Sequence, residues 1–265
     1  MEAQGSREPN RRDFVLGMRR LALEAGAAIV RIYREPGAKV RYKADASPLT
    51  DADEEASNVI VAGLLRLAPG VQVVCEETES PDAPSEVDAR FVLVDPLDGT
   101  KEFINKNGEF TVNIALVEGG QPVAGVVYAP AIERLFLGWR EADGKRYAFE
   151  ELGRAPRRAI HVASSRKDGL IVVASRSHRD AATEEYIQGL RVKSFVSAGS
   201  SLKFCMIAAG EADLYPRLGR TMEWDTAAGH AVLEAAGGTV SCLDGAPLLY
   251  GKPGFENPHF VARGG

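Results

Sequence analysis

One short stretch of the chain, an apolar run that ends in two aspartates, limits most strongly how the sequence can fold. Phe91 to Val94 are consecutive apolar residues and predict a buried strand. The segment Asp95-Pro96-Leu97-Asp98-Gly99-Thr100 follows at once, and its proline and glycine predict a tight turn. Two carboxylates three residues apart on such a turn can point to one place.

A second pair of acids follows another apolar run. Glu76 and Glu77 come directly after Val71 to Val74, which predicts a second strand. If the two strands are neighbours, the carboxylates meet at their carboxyl ends and repel one another unless cations neutralise them. Hard oxygen ligands of this kind suit Mg²⁺. On local grounds alone, the alternative is an Asx turn whose acids are solvated.

Three further polar positions have both a structural and a functional interpretation. Thr50 and Asp53 have the spacing of a capping box at the start of a helix, and a carboxylate there can also point into a cleft. Asp225 lies at the start of a later helix, where an ordinary N-cap is the alternative. Ser200 and Lys203 are predicted in the first turn of a helix, where they form either an anion site or a cap with a solvated lysine.

Composition excludes several classes of protein. The 265 residues, 45% of them hydrophobic, suffice for one large domain or two packed subdomains. The net charge of -5 argues against binding to a nucleic acid polymer, and no run is long enough for an integral membrane segment. Cys75, Cys205 and Cys242 are far apart and are expected to be reduced, buried thiols of a cytoplasmic protein. Peripheral association with the inner membrane stays open, as does the choice between monomer and homodimer.

The order of predicted elements changes between the two halves of the chain. The first half reads as two helices followed by a mostly antiparallel meander, and the second half alternates strands with helices. We therefore expect an α/β fold with an N-terminal α+β subdomain over residues 1–158, which carries most of the acidic cluster. A C-terminal α/β subdomain over residues 159–265 would carry Asp225 and the candidate anion site.

Two of these motifs resemble a known family. The segment Asp95 to Thr100 and the segment Trp224-Asp225-Thr226-Ala227-Ala228-Gly229 are similar to the signatures of the inositol monophosphatase superfamily. Its members are Mg²⁺-dependent, lithium-sensitive phosphatases. The resemblance covers essentially the whole chain and implies an α-β-α-β-α layered sandwich, as in fructose-1,6-bisphosphatase.

Within that superfamily, the bacterial 3'(2'),5'-bisphosphate nucleotidases of sulfur assimilation resemble the chain most. The segments that carry this resemblance are 43–48, Thr100-Lys101-Glu102-Phe103, 107–116, Ser175-Arg176-Ser177-His178 and 199–205. The resemblance implies hydrolysis of 3'-phosphoadenosine 5'-phosphate (adenosine 3',5'-bisphosphate), a small-molecule substrate, to AMP and phosphate. An inositol-1-monophosphatase is the alternative enzyme, and a non-catalytic sensor of nucleotide and metal is the alternative outside enzymes.

The resemblance also implies roles for single residues. Two or three Mg²⁺ ions would be bound by Glu76, Asp95, Asp98, Asp225 and the backbone carbonyl of Leu97. Thr100, held by Asp53, would orient and deprotonate a metal-bound water.

Substrate contacts are implied as well. They are expected from Glu76, Leu97, Asp98, Gly99, Thr100, His178, Ser200, Lys203 and Asp225. Ser200 and Lys203 would hold the 5'-phosphate, which is not cleaved. Arg217 and Arg220 are further candidates for contacts to the purine or its phosphate, and Trp224 is expected to be a core residue behind Asp225.

Overall fold

The fold is known from a computed structural model that describes residues 10–35, 40–42, 48–78, 87–174 and 181–265. Its larger sheet has seven strands in the order β3-β4-β5-β6-β7-β8-β9. Only β3 and β4 are parallel, and every other pair in this sheet is antiparallel. The strands are β3 (Gln72–Cys75), β4 (Arg90–Asp98), β5 (Thr111–Glu118), β6 (Gln121–Ala129), β7 (Arg134–Arg140), β8 (Arg146–Leu152) and β9 (Arg158–Ala159). Two short strands, β1 (Val40–Tyr42) and β2 (Pro48–Thr50), pair separately.

Two helices cover one face of this sheet, α1 (Arg11–Arg34) and α2 (Asp51–Leu67). Successive side chains of a strand point to opposite faces, so an apolar run can serve two cores. In β4, Val92 and Val94 pack in the cluster that includes α1 and α2, whereas Leu93 belongs to the cluster on the other face. This explains why Phe91 to Val94 are apolar without alternation, as the sequence led us to expect for a buried strand.

The smaller sheet has five strands in the order β11-β10-β12-β14-β13. They are β10 (Leu170–Ala174), β11 (Val192–Ser197), β12 (Leu214–Arg217), β13 (Thr239–Cys242) and β14 (Phe260–Arg263). The helices α5 (Leu202–Ala208) and α6 (Glu223–Ala235) share the core between the two sheets, and α4 (Ala181–Gln188) packs on the far side of the smaller one. The α-β-α-β-α order implied by the resemblance is confirmed.

Small residues let α6 approach the larger sheet closely. A Cβ atom added at Gly125 of β6 would lie 2.4 Å from the carbonyl oxygen of Ala228, and one at Gly138 of β7 would lie 2.8 Å from Val232 Cα. On the other side of the helix, a Cβ at Gly229 would lie 2.7 Å from the ring of Phe204. The Ala-Ala-Gly part of the second motif is therefore explained by packing.

The structure corrects several local predictions. Asp95 to Asp98 do not form a tight turn, because β4 continues through them with an irregular register against β5. The chain turns at Gly99, whose φ of 92° lies in the left-handed region. A short helix, α3 (Thr100–Ile104), and the strand β14 were not predicted. Cys75 and Cys205 are buried free thiols as expected, but Cys242 is only half-buried.

The predicted division at residue 158 stays a prediction. The larger sheet ends with β9 and the smaller sheet begins with β10, which agrees with a change near that point. Yet α6 packs against β5, β6 and β7, so the second half of the chain completes the core of the first.

We predict that Gly125→Ala destabilises the protein, because the new methyl group meets backbone atoms of α6 that cannot rotate away. Overpacking of this kind typically costs about 1–3 kcal/mol. Urea unfolding would measure the loss. Gly189→Ala is the matched control, since its Cβ would come no closer than 3.8 Å to the nearest heavy atom. Equal stabilities of the two variants would contradict the tight packing of α6.

Candidate active site

Three carboxylates from different elements meet at the carboxyl end of β3 and β4. Glu76 follows β3, and its amide donates to Val94 O at 3.1 Å, which extends the pairing of the two strands. Asp95 lies in β4 and is 1% exposed. Asp225 lies in the first turn of α6, where it accepts a hydrogen bond of 2.8 Å from the amide of Met222. One ligand atom from each of these carboxylates lies within 4.8 Å of the others.

Asp98 lies beside this cluster but is tied to a different part of the chain. Its Oδ2 accepts hydrogen bonds from the amide of Ser201 at 2.8 Å and from Nδ2 of Asn113 at 3.4 Å. Its backbone carbonyl accepts a hydrogen bond of 2.9 Å from the hydroxyl of Ser200. Burial raises the pKa of Asp98, while the nearby ammonium group of Lys203 lowers it.

The electrostatics of the cluster favour a cation. Burial, followed by repulsion from Glu76, Asp98 and Asp225, raises the pKa of Asp95 well above its ordinary range. Burial and repulsion from Asp98 and Glu76 do the same to the pKa of Asp225. Buried carboxylates that repel one another and offer only oxygen atoms have the chemistry of a hard divalent cation site. The residues present therefore fit the cations that the family resemblance implies.

The two carboxylate oxygens of Asp53 accept hydrogen bonds from two different residues. Its Oδ2 accepts hydrogen bonds from the amide of Thr50 at 2.7 Å and from the hydroxyl of Thr50 at 2.5 Å, which completes the capping box of α2. Its Oδ1 accepts a hydrogen bond of 3.3 Å from the hydroxyl of Thr100. Burial raises the pKa of Asp53, although the hydrogen bonds from Thr50 oppose that effect. The capping-box interpretation of Asp53 is confirmed, and its other oxygen contacts Thr100 beside the cluster.

A cavity of about 370 Å³ joins these groups to a set of basic residues. Glu76, Asp98, Gly99, Thr100 and Asp225 line it. The basic residues that line it are Lys101, Lys203, Arg217 and Arg220. A negatively charged ligand with two charged ends can therefore contact carboxylate-bound cations and basic side chains in the same space.

Lys203 is a buried cation at this cavity. It is 6% exposed, its Nζ donates a hydrogen bond of 2.6 Å to the carbonyl of Ser200, and burial lowers its pKa to about 8. Arg217 further lowers that pKa, while Asp98 raises it. The buried Nε atom of Arg217 has no hydrogen-bond partner in the part of the chain that the structure describes. Both side chains can therefore gain from an anionic ligand.

The structure places Ser200 differently from the sequence prediction. Ser200 has a φ of 56° and precedes α5, which begins at Leu202, so it is not in the first turn of that helix. Its hydroxyl also lies 2.9 Å from that of Thr111. The local reason is that Ser200 bridges the loop to β4 and β5 instead of capping a helix. Lys203 is in the first turn, as predicted.

The remaining predicted residues have the following places. The carbonyl of Leu97 accepts a hydrogen bond of 3.4 Å from the hydroxyl of Thr100, beside the cluster. His178 lies outside the described residues. Trp224 is buried, and its ring centroid lies 5.7 Å from that of Phe255, as expected of a core residue. Tyr215 and Phe204 also line the cavity. They lie in apolar segments of their elements, so the sequence did not indicate that they belong to the site.

The model of the inositol monophosphatase family matches residues 12–261 of the chain. The chain belongs to this family. The family resemblance inferred from the Asp95 to Thr100 and Trp224 to Gly229 motifs is confirmed.

Individual members differ in how similar they are to the chain. The 3'(2'),5'-bisphosphate nucleotidase CysQ of Escherichia coli strain K12 is 49% identical over 244 residues, which are 91% of this chain and 95% of that protein. The crystal structure of CysQ from Bacteroides thetaiotaomicron is 40% identical, with a TM-score of 0.81 and coverage of 95% and 97% of the two chains. The inositol monophosphatase of Anabaena (Nostoc) sp. PCC 7120 is 25% identical, with a TM-score of 0.72 and coverage of 96% and 91%. None of the described helices combines the length and the apolar character that a membrane crossing requires.

We predict that the metal-free protein loses stability as pH rises from about 4 towards neutrality. The reason is that Asp95 and Asp225 have folded-state pKa values well above the ordinary 3.8, so the folded state retains protons that the unfolded chain releases. Asp95→Asn and Asp225→Asn should each flatten this dependence. Urea unfolding in EDTA at several pH values measures the slope.

The control for this experiment is Asp143→Asn, since Asp143 is exposed and its pKa is lowered by Lys145. This variant should leave the decline with pH in place. If stability declined with pH as steeply in the Asp95 and Asp225 variants as in the wild type, repulsion between these carboxyl groups would not be the cause of the decline.

Proposed function

We propose that the protein is a Mg²⁺-dependent 3'(2'),5'-bisphosphate nucleotidase that hydrolyses 3'-phosphoadenosine 5'-phosphate to AMP and phosphate. The observation that carries this proposal is the cavity that Glu76 and Asp225 of the carboxylate cluster line together with Lys203 and Arg217. A substrate with two phosphate groups can place one at each. The greater similarity to the two CysQ proteins than to the Anabaena inositol monophosphatase supports the same choice.

The cation ligands would be the carboxylates of the cluster. Glu76, Asp95 and Asp225 would bind together, with Asp98 and the carbonyl of Leu97 beside them. When bound, Mg²⁺ ions neutralise phosphate oxygens and lower the pKa of water, which a phosphomonoester hydrolase needs. Two or three ions, a cytoplasmic location and a monomeric or dimeric state stay predictions.

Thr100 and Asp53 would position and deprotonate the attacking water. The hydroxyl of Thr100 shares its one hydrogen between Asp53 and the carbonyl of Leu97, so its oxygen lone pairs can accept a hydrogen bond from water. A proton taken up by Thr100 Oγ1 can be matched by transfer of the hydroxyl proton to Asp53 Oδ1. The raised pKa of Asp53 makes this carboxylate a better proton acceptor than an exposed aspartate.

Lys203 and Arg217 would hold the 5'-phosphate that is not cleaved. Each side chain would form charge-assisted hydrogen bonds with phosphate oxygens, which are stronger than those between neutral groups. The bound phosphate would also offset the burial of the Lys203 ammonium group. A substrate with a single phosphate lacks these interactions, so this pair would set the preference for a bisphosphate.

The inositol-1-monophosphatase alternative uses the same carboxylates and gives Lys203 and Arg217 no role. The non-catalytic sensor would be expected to lack Asp53, Thr100 or a cluster carboxylate, and all of them are present. The deciding experiment measures phosphate release, with Mg²⁺ and with EDTA, from 3'-phosphoadenosine 5'-phosphate, inositol-1-phosphate, fructose-1,6-bisphosphate and AMP. Release from the first substrate alone, and only with Mg²⁺, is the expected result, whereas a preference for inositol-1-phosphate would overturn the proposal.

We expect Thr100→Ala to lower kcat by about 10²–10⁴-fold, the usual contribution of a positioned proton-transfer group. KM and Mg²⁺ affinity should change little, because the hydroxyl acts mainly in the transition state. Steady-state kinetics at saturating Mg²⁺ make the measurement. Thr100→Ser keeps the hydroxyl and should retain most of the turnover. A loss confined to KM would make Thr100 a binding residue.

We expect Lys203→Met to lower kcat/KM for 3'-phosphoadenosine 5'-phosphate by about tenfold to a hundredfold. Methionine retains an apolar stem in the buried position and removes the charge that would meet the 5'-phosphate, together with the hydrogen bond to the carbonyl of Ser200. The variant should hydrolyse 3'-AMP, which has no 5'-phosphate, at nearly the wild-type efficiency. The informative quantity is therefore the ratio of the two efficiencies. An equal loss on both substrates would assign Lys203 to the fold or to the acidic cluster instead.

A further inference from the structure

An ion pair between the buried Glu223 and the half-buried Lys252 lies at the start of α6, two residues before Asp225. Glu223 is fully buried, and its carboxylate accepts hydrogen bonds from the amide of Gly251 at 2.6 Å, the amide of Lys252 at 3.0 Å and the ammonium group of Lys252 at 2.5 Å. Three donors on one carboxylate leave it well satisfied despite its burial. Glu223 is not among the described residues that line the cavity.

The same C-terminal segment also binds residues on both sides of Asp225 in the sequence. The side-chain amide of Asn257 donates to the carbonyl of Met222 at 2.8 Å and to the hydroxyl of Thr226 at 3.0 Å. Its backbone amide donates to the carbonyl of Thr221 at 2.9 Å. Residues 221–226 are therefore held largely by residues 251–257, together with the hydroxyl of Ser201, which donates to the carbonyl of Asp225 at 2.6 Å.

These contacts oppose a force that acts on Asp225. Its carboxylate is repelled by Asp98 and Glu76, and among the described residues the amide of Met222 is the donor that hydrogen-bonds to it. The amide of Met222 can serve this purpose only if the start of α6 keeps its place. A helix end that could shift by an ångström would let Asp225 move away from the other carboxylates.

We propose that Glu223, through its ion pair with Lys252, is a positioning residue that holds Asp225 in the geometry required for cation binding. The inference depends on the part of the proposed function in which Asp225 is a cation ligand. It assigns a role to a residue that does not reach the cations or the substrate.

The test compares Mg²⁺ affinity, measured by calorimetry without substrate, in the wild type and in Glu223→Gln. Glutamine has nearly the same shape, but its NH₂ group would face one of the three donors that the carboxylate now accepts from. We expect the Mg²⁺ dissociation constant to rise about tenfold, the lower end of the effect of removing groups that orient metal ligands.

The matched control is Glu150→Gln. Glu150 is another buried carboxylate, 3% exposed and paired with Arg134 at 2.6 Å, but it lies in β8, which contributes no residue to the cavity. Its replacement should destabilise the fold, as measured by urea unfolding, and leave Mg²⁺ affinity unchanged. An equal loss of Mg²⁺ affinity in both variants, or none in Glu223→Gln, would overturn the proposal.

A second variant decides the matter if Glu223→Gln does not fold. Lys252→Met removes the ammonium group, with its contacts to Glu223, the carbonyl of Leu249 and Asn257 Oδ1, and leaves both backbone amides on Glu223. The rise in the dissociation constant should therefore be smaller but measurable. Lys252→Arg keeps the charge and should restore the affinity. An unchanged dissociation constant in Lys252→Met, or no Mg²⁺ binding to the wild type, would overturn the inference. The variants could change the Mg²⁺ dissociation constant as expected while the wild type releases no phosphate from 3'-phosphoadenosine 5'-phosphate. That result would support the inference and overturn the proposed function.

Discussion

Mutual repulsion among three clustered carboxylates, of which Asp95 is buried and the other two are half-buried, is the force that the rest of this fold has to oppose. Glu76, Asp95 and Asp225 come from three elements, and burial and repulsion from neighbouring carboxylates raise the pKa values of Asp95 and Asp225. A flexible chain would relieve such repulsion by moving the groups apart or by admitting water. Here the strands β3 and β4 are paired to each other, and Asp95 lies within a strand that has a partner on both sides. The proposed cation ligands are thus held in place by the fold itself.

The position of α6 follows from the same requirement. To bring Asp225 to the end of β4, the helix must lie close against the larger sheet, and side chains larger than alanine or glycine at the contact would hold it away. Close backbone approach fixes the height of the helix above the sheet, while the contacts from residues 251–257 fix its first turn. Packing therefore fixes how far Asp225 lies from the larger sheet, and hydrogen bonding fixes the helix turn that carries it.

Much of this arrangement could be predicted from the sequence, because its signals are local. The apolar run before Asp95 and the spacing of Thr50 and Asp53 each identify an element and the direction of its polar groups. Other features depend on partners far along the chain. A proline between two aspartates suggested a turn, but pairing with β5 keeps Asp95 to Asp98 in the sheet. Likewise, nothing near Glu223 in the sequence indicates that its three donors come from Gly251 and Lys252.

The packing of α6 also has a consequence for the order of events during synthesis. The seven strands of the larger sheet are translated before α6 and every strand of the smaller sheet. Chains generally fold from the N-terminus as they emerge, so the face of the sheet that α6 later covers is exposed on the nascent polypeptide. That face includes Leu93, Ala115 and Phe136 in the finished protein. A nascent chain that had folded only this sheet would expose an apolar face of the kind that chaperones bind, and it would lack Asp225, the third carboxylate of the cluster, until α6 buries that face.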